Sequence, residues 1–178
     1  MSWITPDAHA RAVEEARDIV LRRLDRSAAP RAALAALLER KEVDPRIATE
    51  VLDRLEAAGL VDDDAYAAAL ARTRFSQKGA SRRAIEDELR RKGLGERSIA
   101  GALAQISGDD EADAALALAR KRLRAARGLD RPTQERRVLA ALGRKGYSQH
   151  VARRALDQAR GEGADHRLPW ADEPHAGQ

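Results

Sequence analysis

The chain of 178 residues contains no cysteine, one methionine and five aromatic residues. Without thiols it forms neither disulfides nor thiolate metal sites. With so few rings, its core must be filled by aliphatic side chains and alanine. No run of about 18 apolar residues exists, so no membrane-crossing helix is expected. The opening residues MSWITPDAHARAVEEARDIV lack the basic start and apolar core of a secretory signal. A soluble, cytoplasmic chain is therefore expected. What is abundant is charge, at 35%, together with alanine and leucine, a mixture that favours helices.

The net charge of +4 is unevenly placed. Residues 1–61 and 62–110 are nearly balanced, whereas 111–160 carries thirteen Lys and Arg against five Asp and Glu. The last segment, 161–178, is acidic. A basic segment of this kind suits an anionic partner, either nucleic acid or an acidic protein surface.

The sequence also repeats. LERKEVDPRIATEVL (Leu38–Leu52), ELRRKGLGERSIAGAL (Glu88–Leu103) and ALGRKGYSQHVARRAL (Ala141–Leu156) align with Lys41, Lys92 and Lys145 in one column. The apolar columns Leu34, Ile85, Val138; Leu38, Leu89, Leu142; and Leu52, Leu103, Leu156 follow without adjustment, and they predict the repeat core. Gly93 and Gly146 mark a turn ending one helix, and Asp44-Pro45 and Ser148 start the next. Glu42 replaces that glycine in the first copy, so a different turn geometry is expected there. An earlier helix with a basic end precedes each pair, beside Leu24, Phe75 and Leu123. The fold class expected is all-α: three tandem three-helix repeats forming an elongated, curved helical-repeat domain. The boundaries expected are 1–61 for an N-terminal segment and first repeat, 62–110 for the second, 111–160 for the third, and 161–178 for a flexible tail.

None of the phosphate-loop, dinucleotide, nucleophile-elbow or metalloprotease motifs is present. The four histidines are scattered, and Arg83, Asp87 and Arg91 are spaced as surface ion pairs. No catalytic residue, cofactor site or metal site is expected. The candidate binding surface is basic: Arg72, Arg74, Lys78, Arg82 and Arg83 in the second repeat, and Arg120, Arg122, Arg124, Arg127, Arg136, Arg137, Arg144 and Lys145 in the third. Arg120, Arg124 and Arg127 have the spacing of one helical stripe. Tyr147 is the one aromatic residue of the third repeat, so stacking of bases is poorly supported.

Three stretches carry a family resemblance. GLVDDDAYAAAL (Gly59–Leu70), RTRFSQKGASRRAIEDELRRKGL (Arg72–Leu94) and RKGYSQHVARRAL (Arg144–Leu156) resemble, in order and spacing, motifs of the RecX family of regulatory proteins, modulators of the RecA recombinase. The likeness extends over residues 12–160 and departs from the family at Glu42 and at SAAPRAAL (Ser27–Leu34), which lacks a glutamate common before the second helix's leucine. It implies a non-catalytic monomer that binds RecA and lies along RecA filaments on single-stranded DNA, with weak direct DNA binding of its own. Inhibition of strand exchange, ATP hydrolysis and coprotease activity in recombination, repair and the SOS response is implied with it. Two other readings fit the residues: direct DNA binding through a helix-turn-helix such as GRKGYSQHVARRALDQA, and a helical scaffold for another partner.

Overall fold

The structure, a computed structural model, describes residues 8–165. Among these residues there are nine α-helices and no strand. The first repeat comprises α1 (Ala8–Leu24), α2 (Arg31–Arg40) and α3 (Pro45–Ala57). The second comprises α4 (Asp63–Lys78), α5 (Arg82–Arg91) and α6 (Glu96–Leu103). The third comprises α7 (Gly108–Ala125), α8 (Arg131–Arg144) and α9 (Gln149–Asp165). All nine residues of the three apolar columns are buried.

Two boundaries differ from expectation. The third repeat begins at Gly108, because Ser107 caps α7: its hydroxyl accepts from Asp110 N at 3.0 Å while the Asp110 carboxylate accepts from Ser107 N at 2.9 Å. The helix therefore carries the acidic run Asp109, Asp110 and Glu111 in its first turn. At the other end α9 continues to Asp165, five residues past 160, held by buried Ala159 and by Glu162, which Arg120 grips from α7. Residues beyond 165, including Trp170, His166 and His175, lie outside the described residues.

The turn between second and third helices is the same in all three repeats. Val43 N donates to Leu38 O, Leu94 N to Leu89 O and Tyr147 N to Leu142 O, at 3.1–3.2 Å. Glu42, Gly93 and Gly146 each donate at 2.9 Å to the carbonyl three residues back. This is the paired hydrogen-bond pattern of a left-handed helix ending, and φ is 80° at Gly93 and 86° at Gly146. Glu42 has φ 59°, so the altered geometry expected for the first turn is not found. Asp44 and Ser148 cap the following helices, accepting from Arg46 N at 2.7 Å and Val151 N at 3.2 Å.

Junctions between repeats are equally regular. Arg31 N, at the start of α2, donates to Asp63 at 2.8 Å; Arg82 N, at the start of α5, donates to Glu111 at 2.9 Å. Each second helix thus has an otherwise orphan amide satisfied by an acid from the next repeat's first helix. The turns meet the same helices. A Cβ built on Gly93 would lie 2.6 Å from the Ala32 Cβ, and one on Gly146 2.6 Å from the Ala84 Cβ and from the Ser81 hydroxyl. Ser81 N also donates to Lys145 O at 2.8 Å, a bond that Pro30, its counterpart before α2, has no N–H to make. In the third repeat α8 has 14 residues where α2 and α5 have 10, and it carries its own cap, Asp130 accepting from Thr133 N at 2.9 Å.

By packing, the chain divides into two compact units. One comprises, among the described residues, 8–74 with 85–105, and its main apolar cluster is centred on Val20, Leu34, Leu38 and Leu52. The other comprises, among the described residues, 75–84 with 106–165, with a cluster around Ala119, Val138, Leu142, Tyr147 and Leu156. The units of packing thus cut across the second sequence repeat.

Candidate functional site: an arginine groove on the third repeat

Helix α7 buries Ala115, Leu116 and Ala119, and α8 buries Val138, Ala141 and Leu142. Fixing those faces turns Arg136, Ala140 and Arg144, spaced by four, along one outward stripe of α8. Together with Arg122 and Arg137 they line a groove of about 330 Å³ whose remaining lining is Ala125 and Ala126. The alanines leave room, and the four guanidinium groups surround it. Among the described residues none of these four arginines makes an ion pair or a side-chain hydrogen bond. Asp130, held below the usual carboxylate range by its hydrogen bonds to Thr133, feels the charge of Arg136 as the smallest of its influences.

The other basic candidates are placed differently. Arg74 makes two hydrogen bonds to Glu88, at 2.7 and 2.6 Å, with both side chains about three-quarters covered. That bonding lowers the Glu88 carboxyl and raises the Arg74 guanidinium from their ordinary values. Arg82 donates its guanidinium to Ile106 O at 2.8 Å and so serves the α6–α7 connection. Lys78, Arg83, Arg124 and Arg127 are exposed, as is Arg72, while Lys145 is half-buried and lends its carbonyl to Ser81. The stripe of Arg120, Arg124 and Arg127 is not formed. Arg120 is held by Glu162 at 2.6 Å through two nitrogens, and α7 ends at Ala125, so Arg127 is off the helix. Nor do Arg83 and Arg91 pair with the Asp87 carboxylate: Arg91 donates to the Asp87 carbonyl, and the helical pair formed is Arg90 with Glu86 at 2.7 Å.

What frees Arg122 is visible in the repeat alignment. Arg74 and Arg122 stand three residues after the buried Ala71 and Ala119, but the column holding Glu88 holds Ala141 in the third repeat. Reading basic residues alone misses this, because the signal is a missing acid. Tyr147 is 5% exposed and its hydroxyl has no partner, so its ring offers nothing to a base. Among the described residues no cluster of His, Asp and Glu could hold a metal, and no helix is long and apolar enough to cross a membrane.

These features define a class: an all-α repeat protein whose three-helix units share one turn and one junction, with a cationic groove on the last unit. Family models narrow it, with RecX's second three-helix domain matching residues 62–103 and its third matching 109–156. The chain belongs to the RecX family. It is 41% identical to the regulatory protein RecX of Streptomyces coelicolor over 157 residues, 86% of this chain and 84% of that one. To that of Thermobifida fusca it is 36% identical over 168 residues, 94% and 89% of the two chains. The crystal structure of a regulatory protein RecX superposes with a TM-score of 0.72 at 29% identity, over 84% of this chain and 74% of that one. RecX from Lactobacillus salivarius, at 17% identity, shares the fold with a TM-score of 0.77 over 85% and 98%.

Proposed function

We propose that this protein binds RecA and its filaments on single-stranded DNA and restrains their strand exchange, ATP hydrolysis and coprotease activity, without catalysing a reaction itself. The observation that carries this reading is the match of two consecutive repeats to the family's three-helix domains, with relatives called regulatory proteins aligning over most of their length. Several helical faces on one chain suit a binder of repeating protomers, because contacts that are weak singly add when geometry lets them engage together. The recurrence of one turn in all three repeats argues against a single dedicated DNA-reading helix pair. The reading places the protein in the cytoplasm, acting as a monomer.

The test is a titration into RecA hydrolysing ATP on single-stranded DNA, with binding to naked DNA followed over a salt series. Inhibition below stoichiometric protein supports the reading. Tight, sequence-selective binding to naked duplex with RecA undisturbed would replace it with direct DNA recognition.

A further inference from the structure

We infer that the arginine groove on the third repeat receives an acidic interhelical turn or helix end of the partner protein. The proposal rests on the RecA reading above and assigns the place of contact. Its basis is the position of the groove within the repeat. Measured from the buried column Leu34, Ile85 and Val138, the residues that meet the next repeat's turn are Ala32, two places before, and Ala84, one place before. Those same two places in the third repeat are Arg136 and Arg137. In the third repeat Arg136 and Arg137 thus stand where an alanine meets a helical turn of this chain in the first and in the second, and they bring guanidinium groups to the groove instead of methyl groups.

The change of chemistry defines the occupant. Glycine against alanine suits a turn made in the same chain, whereas an arginine fork suits a carboxylate. This chain makes that forked pairing twice within itself, Arg74 with Glu88 and Arg120 with Glu162, each through two nitrogens. Among the described residues no acid lines the groove, and Ala141 takes the place of Glu88. Protein is favoured over a phosphodiester backbone because the equivalent surfaces hold protein, and because the alanine floor offers apolar contact to a turn.

The experiment compares wild type with R136A/R137A and, from both walls of the groove, R122A/R144A, as inhibitors of RecA-catalysed ATP hydrolysis on single-stranded DNA. Naked single-stranded and duplex DNA binding and sedimentation are measured alongside. As none of the four residues is ion-paired among the described residues, helicity and melting should be kept. The expected result is that each double variant needs about tenfold more protein for equal inhibition, while binding to naked DNA changes by less than about twofold. Unchanged inhibition by both variants overturns the proposal and leaves the RecA reading standing. A parallel loss of naked DNA binding makes the groove a phosphate site and overturns it too. Self-association of wild type that R136A/R137A abolishes assigns the groove to a second copy instead. Wild type that leaves ATP hydrolysis untouched removes the functional reading, and the groove's partner with it.

Discussion

Glu42 adopts a left-handed backbone conformation that its counterparts reserve for glycine. Glu42→Gly should stabilise the protein by about 0.5–1 kcal/mol, because a Cβ in that region is strained. Gly93→Ala and Gly146→Ala should each cost roughly 2 kcal/mol or more, adding to that strain a methyl 2.6 Å from a neighbouring alanine. Urea denaturation of the three variants measures the contrast. Tyr147 offers a second residue-scale test, since its buried hydroxyl lacks a partner. Tyr147→Phe should leave stability unchanged or raise it by up to about 1 kcal/mol. Burial pushes the phenol up to about 12 from 10. Between those values the unfolded chain loses a proton that the folded chain keeps, so stability should fall as pH rises through that window, and the Phe variant should lack this component.

Between elements, the Arg74–Glu88 pair ties α4 to α5. Because the folded state lowers the Glu88 carboxyl, the pair contributes above that group's ordinary value of 4.5 and is lost as pH falls through the lowered one. Glu88→Gln should cost about 1 kcal/mol at neutral pH, no more, since each side chain keeps about a quarter of its surface in water, and it should flatten the acid limb of a stability-against-pH curve. Much at this scale was legible in the sequence. The apolar columns locate every second and third helix, and the glycines and capping residues locate their ends, because periodicity and turn chemistry are local properties. Partners distant along the chain were not. Glu162 lay in a segment read as tail, so the engagement of Arg120 was hidden, and the extra turn of α8 concealed which of its arginines share a face. Asp63 and Glu111, acids in the first turns of α4 and α7, reach back to the preceding repeat, a pairing across about thirty residues that local pattern does not reveal.

For the whole molecule, the sequence repeats in threes and packs in twos. Leu142→Ala should cost about 2–5 kcal/mol and Leu38→Ala a similar amount, as both are fully buried. Hydrogen exchange should separate their effects. Loosening Leu142 should expose amides of residues 75–84 together with the third repeat, and loosening Leu38 should expose residues 85–105 with the first, following the units of packing rather than the repeats. Residues 75–84 and 85–105 responding together to either change would show instead that the repeat is the cooperative unit. The borrowed caps also give the chain a direction in time. While it emerges from the ribosome, α2 lacks a partner for its leading amide until Asp63 is synthesised, and α5 until Glu111, although Ser81 caps Ala84 N from just ahead of α5 as Asp130 caps Thr133 N in α8. Maturation of the first two repeats therefore trails translation by about one module at each step.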